Sequence, residues 1–357
     1  MNDFKLLKEI DTSNMYDILS SFNEQILEAH SIGQSCEIFK NTDVPENIII
    51  LGMGGSAIGG DLLNSYSMAT DGASHLKIFV NRNYDLPGYV DNRFHVIASS
   101  YSGGTEETVS AFSMALNKTD KLLSICTGGK LSVLANNNGI PLVKIPGGMQ
   151  PRCALGFSFV VLLNIMMRTG AYSDNAIIET ESGIDETIEM LTKKSEIYKK
   201  FENNNPAIDL ASKIFGKIPV FYSSSQRLDS VNLRWRGQIQ ENAKHLAFGA
   251  LLPEMNHNEI NGWLLPEKLQ KDFIFIFLED IDDHPRVTLR FEALESVLKG
   301  QGKKVIRLKP EGRTLLARMF DSIYLGDWTS YYLALMNEQD PTSIPVITKL
   351  KNYISNQ

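Results

Sequence analysis

Cysteine is scarce in this sequence, and neither a long apolar run nor a cluster of basic residues is present. The three cysteines, Cys36, Cys126 and Cys153, lie far apart and form no C-x-x-C pair. This excludes a disulfide scaffold and predicts a reducing compartment with no cysteine zinc site. The longest apolar stretch, 157–167, is interrupted by a serine and an asparagine and is much shorter than the ~20 residues of a membrane span. No membrane partner is therefore expected.

Charge and histidine spacing exclude two further classes of protein. Lysine and arginine number 35 against 42 aspartates and glutamates, a formal net charge of −7, so a nucleic-acid partner is not expected. A small anionic substrate remains compatible, because one phosphate needs only a few local donors. The 6 histidines form no H-x-x-H or H-E-x-x-H pair, and no metal is expected. The amino terminus is polar and acidic, unlike a signal peptide, which predicts a cytoplasmic protein.

The pattern of apolar runs indicates the fold class. The 357 residues, 43% apolar and 22% charged, fit a soluble chain of two ordinary domains. Between 47 and 146, apolar runs alternate with segments of helical period, and most runs end in glycine or hydroxyl residues: IIILGMGG, LKIFVN, FHVIASSYSGG, LLSICTGG and LVKIP. This is the pattern of a parallel sheet that is buried on both faces, and it predicts an α/β protein.

A charged stretch indicates where the domains meet. Residues 174–205 are rich in glutamate and lysine and end at Asn205-Pro206, which predicts a helical linker between domains 1–173 and 206–357. The first domain includes a helical N-terminal extension, and the second ends in an amphipathic helix within 341–357. The expected helices of the first domain are 56–67, 105–116 and 153–168. The expected strands of the second domain are 219–225, 272–278, 304–308 and 322–326.

A glycine-rich loop follows the first predicted strand. The segment GMGGSAIGGD, residues 52–61, lies where a strand becomes a helix, so its amides can face an anion at the helix N-terminus. A nicotinamide dinucleotide site would need an acid at the end of the second strand, where Asn81 or Asn83 stands instead. The glycines could also serve only to pack the helix closely against the strand. Three interpretations therefore remain for this loop.

A hydroxyl-rich loop follows the third predicted strand. The segment SSYSGGTEET, residues 99–108, combines hydroxyls, glycines and a helix start, a neutral way to bind a phosphate. Thr105 and Thr108 could also satisfy free amides as an N-cap of the helix, which is compatible with phosphate binding. A cap explains one hydroxyl, whereas Ser100, Ser102 and Thr105 give three donors, and we therefore favour phosphate binding.

The densest polar chemistry follows in the second half, in QENAK at 240–244 and PEMNHNEI at 253–260. Sugar isomerisation needs a carboxylate that moves a proton between adjacent carbons and a second group that opens the ring. Glu241 and His257 could supply these groups. Alternatively, they are an ordinary surface carboxylate and a loop histidine.

Together these motifs resemble the bifunctional phosphoglucose/phosphomannose isomerase family. The resemblance covers essentially residues 40–351, and the motifs occur in the family's order: GMGGSAIGGD, SSYSGGTEET, PRxxLG at 151–156, QENAK, PEMNHNEI, Asp283-His284-Pro285 and the terminal DPT…KLK. It implies two flavodoxin-like sugar isomerase (SIS) domains, each a parallel sheet flanked by helices. The implied enzyme is cofactor-independent and interconverts glucose 6-phosphate, and mannose 6-phosphate, with fructose 6-phosphate.

The resemblance also implies roles for single residues. The sugar phosphate would be held by Gly54, Gly55, Ser56, Ser100, Ser102 and Thr105. Arg152 would stabilise the enediolate, and Glu241 would shuttle the proton between C1 and C2. His257 would assist ring opening from the neighbouring subunit of a homodimer.

A lysine of the terminal helix would share the ring-opening step, and Lys349 and Lys351 compete for this role. Thr342 and Lys349 are two helical turns apart, which predicts one shared helical face, and we therefore prefer Lys349. The resemblance implies that glucose-specific relatives carry a larger glutamine at the place of Thr342, and the short Thr342 is therefore the expected specificity residue. Two other functions stay open: a non-catalytic sugar-phosphate-binding protein and an aminosugar-pathway isomerase.

Overall fold

The computed structural model of the protein describes residues 8–40, 43–202 and 204–355. It contains two parallel sheets flanked by helices, which confirms the predicted α/β class. The chain divides into two compact units. The first unit comprises Phe22–Met190 and Gly312–Ala317, and the second comprises Met1–Ser21, Leu191–Glu311 and Arg318–Gln357. The domain bounds expected from the sequence, 1–173, 174–205 and 206–357, stay a prediction.

The first unit is built on a five-stranded sheet of order β2-β1-β3-β4-β5. All neighbouring strands are parallel, and every residue of the central strand β3 is buried. This is the flavodoxin-like order, which reverses direction between β1 and β3. The five apolar runs of the sequence are these five strands. The strands are β1 Asn47–Leu51, β2 Lys77–Asn81, β3 Phe94–Ser99, β4 Leu122–Cys126 and β5 Leu142–Lys144.

Helices flank this sheet, and α6 is buried over almost its whole length. It lies against α2 and α3, and both contacts depend on glycine. A Cβ on Gly33 of α2 would lie 2.5 Å from the Asn164 Cβ, and one on Gly59 of α3 would lie 2.3 Å from the Ser158 carbonyl oxygen. The helices up to this point are α1 Met15–Ser20, α2 Phe22–Ser35, α3 Gly54–Ala69, α4 Glu106–Ala115, α5 Gly129–Asn137 and α6 Leu155–Arg168.

The second unit is built on a four-stranded parallel sheet of order β7-β6-β8-β9. Its core contains Tyr222, Phe275, Phe277 and Phe291. The strands are β6 Ile218–Ser224, β7 Phe248–Leu252, β8 Phe273–Leu278 and β9 Lys304–Leu308. The helices that follow α6 are α7 Asp174–Tyr198, α8 Pro206–Ile214, α9 Asp229–Ala243, α10 Glu267–Gln270, α11 Pro285–Gly300, α12 Leu315–Met336 and α13 Pro345–Ser355.

For the second sheet, one predicted strand is wrong and one observed strand was not predicted. The expected strand 322–326 lies inside α12, a 22-residue helix. This helix is buried on nearly all sides, so its apolar run lacks the alternation that separates a helix from a buried strand. The sequence analysis also missed β7, whose Gly249 packs close to β6: a Cβ there would lie 2.4 Å from the Phe221 carbonyl oxygen.

The charged segment 174–205 forms α7 and the loop that follows it. The next helix, α8, starts with Pro206 at its first position, and the Asn205 side chain accepts a hydrogen bond from the Ala207 amide at 2.9 Å. This is the N-cap and proline arrangement that favours a helix start. Among the described residues, no helix combines the length and the apolar character required to cross a bilayer.

One buried histidine makes the stability of the first unit sensitive to pH. His95 lies on β3 opposite Ile48 of β1, is 1% exposed, and packs edge-on against Phe39 at 4.8 Å between ring centroids. Burial, together with the Lys121 ammonium, lowers the pKa of His95 from an ordinary 6.5 to about 4. The folded protein therefore holds the imidazole neutral over a range in which the unfolded chain protonates it.

We predict that His95 contributes to acid-induced loss of stability. Its stabilising effect is complete above pH 6.5 and is lost as the pH falls towards 4, because the unfolded state binds the extra proton. One such group changes the free energy of unfolding by at most about 1.4 kcal/mol per pH unit. Urea unfolding between pH 4 and pH 7 should show a flatter dependence for His95→Leu than for the wild type. The exposed His75 provides the control, and an equally flat curve for His75→Leu would contradict this assignment.

Candidate active site

The two candidate phosphate loops of the first unit follow β1 and β3, the strands between which the sheet order reverses. Parallel strands place their carboxyl ends at one edge of the sheet, and the crevice at such a reversal is the usual ligand site of an open α/β sheet. The fold therefore brings the glycine loop and the hydroxyl loop together at this edge.

The glycine loop leaves the start of α3 without a side-chain cap. The N-cap residue is Met53, whose side chain makes no capping hydrogen bond, so the first amides of α3 remain suited to an anion. Gly54 adopts a positive φ of 49°, and a Cβ there would meet nothing within 4 Å. Gly59 and Gly60, by contrast, lie close to neighbouring elements. The loop thus fits two of the three interpretations. Its later glycines allow close packing, and the open backbone at Gly54 is suited to anion binding.

Hydroxyl groups connect the two loops. Ser56 is buried, and its Oγ accepts a hydrogen bond from the Tyr101 amide at 3.0 Å. Ser100 Oγ donates to Thr105 Oγ1 at 2.9 Å, and Ser102 Oγ accepts from the Gly104 amide at 3.2 Å. Thr105 is the N-cap residue of α4, yet its side chain makes no capping bond. Thr105 therefore occupies the expected N-cap position, but its hydroxyl bonds to Ser100 and does not cap the helix amides.

The hydroxyl loop is fixed by backbone contact with the loop after β4. Gly103 has a positive φ of 65°, and a Cβ on it would lie 1.7 Å from the Gly128 carbonyl oxygen. The Gly103 carbonyl accepts a hydrogen bond from the Leu131 amide at 2.8 Å. A Cβ on Gly104 would meet only Ser102 Oγ, at 3.8 Å. The loop is thus anchored at Gly103, while Gly104 has space around it.

Arg152 lies on a short 3-10 helix, Pro151–Cys153, that packs against the glycine loop. A Cβ on Gly55 would lie 2.6 Å from the Pro151 carbonyl oxygen and 2.8 Å from the Arg152 nitrogen. Only glycine permits this approach. The Arg152 side chain is 4% exposed. The structure therefore brings Arg152 and the glycine loop into contact at the backbone.

In the second unit, a polar face of α9 fixes the helix that carries Glu241. Arg234 and Gln238 both donate to the buried Asp327 carboxylate on α12, at 2.7 and 2.8 Å. One turn beyond Gln238, Asn242 Nδ2 donates to Ser330 Oγ at 2.9 Å. Glu241 borders this buried face, two turns past Arg234, and is half-buried.

Glu241 opens into a cavity of about 300 Å³ in the second unit. The lining of the cavity is mostly apolar, and the cavity is open to solvent. It lies between the C-terminal end of α9 and the first turn of α13. Its lining residues are Gln240, Glu241, Lys244, His245, Leu246, Ile344, Pro345, Val346 and Ile347.

His257 ends a 3-10 helix, Glu254–His257, and is exposed. The segment around it is anchored: Met255 is buried, and Glu259 Oε1 accepts a hydrogen bond from the buried Tyr222 hydroxyl at 2.6 Å. Trp263 Nε1 donates to the same hydroxyl at 2.8 Å. The anchors leave His257 directed away from the core of its own unit.

The predicted helical face shared by Thr342 and Lys349 is wrong. The helix α13 begins only at Pro345, because a residue before proline disfavours helical geometry and proline suits the first helical position. Thr342 lies before the helix and is buried, and its amide donates to Asp340 Oδ1 at 2.8 Å. Lys349 and Lys351 are both exposed on α13, and neither lines the cavity beside Glu241.

The predicted site residues thus divide between the two units. The first unit holds the phosphate loops and Arg152, and the second holds Glu241, His257, Thr342 and Lys349. Sequence reasoning missed Gln25 and Tyr101, whose side chains hold the segment that carries Arg152. Gln25 belongs to no motif that would single it out, and Tyr101 lies within the hydroxyl loop, where only the hydroxyls of its neighbours were considered. Among the described residues, no group of three or more histidine, cysteine or acidic side chains could hold a metal ion.

Two parallel sheets flanked by helices, with glycine- and hydroxyl-rich loops where the first sheet reverses order, are the architecture of a double sugar isomerase (SIS) protein. The sequence profile of the bacterial phospho-glucose isomerase C-terminal SIS domain matches residues 203–354. The bifunctional phosphoglucose/phosphomannose isomerase of Caldicellulosiruptor bescii is 38% identical over 96% of this chain and 99% of its own length. That of Aquifex aeolicus is 35% identical over 89% and 93%. The chain belongs to the bifunctional phosphoglucose/phosphomannose isomerase family, which confirms the resemblance inferred from its motifs.

Solved structures agree on the fold. A hypothetical protein of Thermus thermophilus superposes with a TM-score of 0.68 at 17% identity, over 99% of this chain and 94% of that chain. The tagatose-6-phosphate ketose/aldose isomerase of Escherichia coli gives 0.60 at 15% identity, over 94% and 92%. At this identity the likeness concerns the fold alone.

Proposed function

We propose that this protein is a cofactor-independent aldose-ketose isomerase that interconverts glucose 6-phosphate and mannose 6-phosphate with fructose 6-phosphate. The match to a family member over 96% of the chain carries this proposal. The geometry supports it, because one unit carries the two candidate phosphate loops and the other a half-buried carboxylate at an open, mostly apolar cavity. The enzyme would act in cytoplasmic carbohydrate metabolism, in glycolysis and gluconeogenesis.

In the proposed mechanism, the phosphate is held by the open backbone at Gly54 and Gly55 and by the hydroxyls of Ser56, Ser100, Ser102 and Thr105. Glu241 removes the C2 proton of the open-chain aldose and returns it to C1, through a cis-enediolate. Arg152 stabilises the charge that develops on that intermediate. Phosphate binding thus fixes one end of the sugar while the chemistry proceeds at the other.

We place His257 and Lys349 in the ring-opening step, with His257 donated across a homodimer interface. The exposure of His257 supports this assignment, since a side chain directed away from its own core is available to a second copy. Exposed apolar side chains also support an interface between copies. Leu265, which follows His257 in the sequence, is 72% exposed, and Val346 on α13 is 80% exposed. Thr342 remains the proposed specificity residue.

A coupled assay of the purified protein with each aldose 6-phosphate, run with a chelator present, tests this function. We expect turnover of both sugars and no effect of the chelator. A protein that binds both sugar phosphates without turnover would be a non-catalytic binding protein. Turnover of glucose 6-phosphate alone would remove the dual specificity and leave the isomerase assignment intact.

The phosphate site makes a separate prediction about Ser100 and Thr105. Ser100→Ala and Thr105→Ala should each weaken phosphate binding by about 1–3 kcal/mol, the cost of losing a hydrogen bond to a charged group. The KM for glucose 6-phosphate should rise accordingly, while kcat changes little. Ser113→Ala is the matched control, because this hydroxyl lies on α4, the helix that follows the hydroxyl loop, and donates to the Val109 carbonyl at 2.8 Å. An unchanged KM in the double variant of Ser100 and Thr105 would disprove the site.

A further inference from the structure

The segment 149–156, which carries Arg152, is held at three places by the first unit. The Met149 amide donates to the Tyr101 hydroxyl at 3.0 Å, and burial raises the pKa of Tyr101, so this hydroxyl stays neutral. The 3-10 helix rests on Gly55, as described above. The third contact comes from α2, a helix outside the sheet and outside every motif of the sequence.

That third contact is the side chain of Gln25, which is 6% exposed. Its Nε2 donates to the Cys153 carbonyl at 2.9 Å, and its Oε1 accepts from the Gly156 amide at 2.8 Å. The amide nitrogen of Gln25 thus binds the residue after Arg152, and its amide oxygen binds the first turn of α6. Nε2 also lies 3.5 Å from Met149 Sδ.

The fit between Gln25 and Gly156 is close. A Cβ on Gly156 would lie 2.9 Å from Gln25 Oε1, so the glycine provides the space that the glutamine amide occupies. The Cys153 carbonyl and the Gly156 amide are groups that would cost free energy if they were buried without a partner. A single side chain satisfies both, and it fixes the direction of the chain on the C-terminal side of Arg152.

We infer that Gln25 is a positioning residue for Arg152: its side-chain amide holds the 3-10 helix so that the guanidinium meets the enediolate. This inference rests on the proposed function. A contact that matters only for the transition state acts on kcat more than on KM. Displacements of about 1 Å in a catalytic group can cost roughly 10²-fold in rate.

Gln25→Met tests the inference, because methionine keeps the length of the side chain and removes both hydrogen bonds. We expect kcat for glucose 6-phosphate to fall about tenfold or more, with KM changed less than about twofold. Arg168→Met is the matched control. Arg168 ties the other end of α6 to α2 and the residues after it, donating to the Gly33 and Cys36 carbonyls at 2.8 and 2.7 Å. Arg168→Met should lower the melting temperature about as much as Gln25→Met and leave kcat unchanged.

A double-mutant cycle separates positioning from mere stability. If Gln25 acts through Arg152, Gln25→Met should cause no further loss of kcat in an Arg152→Ala background. Full multiplication of the two losses, or the same kcat for Gln25→Met and Arg168→Met, would overturn the inference. Gly156→Ala displaces the Gln25 amide from the opposite side and gives a second route should Gln25→Met not fold.

The cycle also distinguishes this inference from the proposed function. A large loss in Arg152→Ala with none in Gln25→Met would reject only the role of Gln25. Wild-type kcat in Arg152→Ala would reject the enediolate role of Arg152 and the positioning role with it. A wild-type protein inactive on both sugars would reject the proposed function.

Discussion

Glu241→Gln should slow isomerisation by about 10²-fold or more, the usual effect of removing a general base. Glutamine keeps the shape of the side chain and its hydrogen bonding but cannot accept the C2 proton. The binding of sugar phosphate should change little, because the phosphate loops belong to the other unit. The measurement is kcat with glucose 6-phosphate, together with the affinity for the same sugar obtained by titration of the variant.

Two comparisons make this test specific. Glu267→Gln, at an exposed carboxylate of the same unit, makes the same change in net charge and should keep wild-type kcat. In deuterated water, the wild type should place solvent deuterium at C2 of the aldose formed from fructose 6-phosphate, whereas Glu241→Gln should not. Near wild-type turnover in Glu241→Gln would show that another group moves the proton. Retained binding without turnover in the wild type would favour a binding protein.

The first sheet could be predicted closely from the sequence, and the reason is physical. Each strand is an apolar run, most of these runs end in glycine or hydroxyl residues, and after β1 and β3 these residues also form the candidate phosphate loops. Strand ends and ligand groups are therefore marked by the same residues. Parallel pairing then forces the two loops to one edge, so their proximity follows without any knowledge of side-chain contacts.

The errors arise where local patterns are ambiguous. In α12 the run Ser322–Gly326 is apolar because the helix is buried all round, and periodicity cannot separate this case from a strand. The spacing of Thr342 and Lys349 gives a shared face only if one helix spans both, and Pro345 prevents that. Gln25 escaped notice for a different reason: its partners lie 128 and 131 residues away, and no local pattern reports contacts at that separation.

The other large expected effect concerns the buried ion pair of Arg234, which lies two turns before Glu241 on α9, with Asp327 on α12. Asp327→Ala should lower the free energy of unfolding of the second unit by about 3–5 kcal/mol, because Arg234 loses its carboxylate in a buried site. The Arg234 and Asp327 side chains are 4% and 3% exposed. Gln238 loses its acceptor as well. Urea unfolding at pH 7, followed by tryptophan fluorescence, should show an earlier transition, since Trp235 and Trp328 are buried in the same unit.

An exposed pair of the same unit shows how much burial matters. Lys213 and Asp209 form an ion pair one turn apart on α8, at 51% and 56% exposure. Such pairs contribute only about 0.3–0.5 kcal/mol, because water screens both charges. Asp209→Ala should therefore shift the transition little. Equal shifts for the two alanine variants would contradict the idea that Asp327 compensates a buried charge.

The double variant Arg234→Met with Asp327→Leu separates the need for charge compensation from the need for the ion pair itself. Replacement of a buried pair by apolar side chains of similar volume is often neutral or stabilising, so this variant should recover most of the stability that Asp327→Ala loses.

The activity of this double variant shows whether the ion pair also positions Glu241. Arg234 lies two turns before Glu241 on the same edge of α9, and the ion pair sets the position of that edge against α12. A stable double variant with reduced kcat would mean that the pair orients the Glu241 carboxylate. Unchanged kcat would assign the orientation of α9 to other contacts with α12, among them the Asn242–Ser330 and Trp235–Ser322 hydrogen bonds and the close approach of Gly326, where a Cβ would lie 2.6 Å from the Trp235 ring.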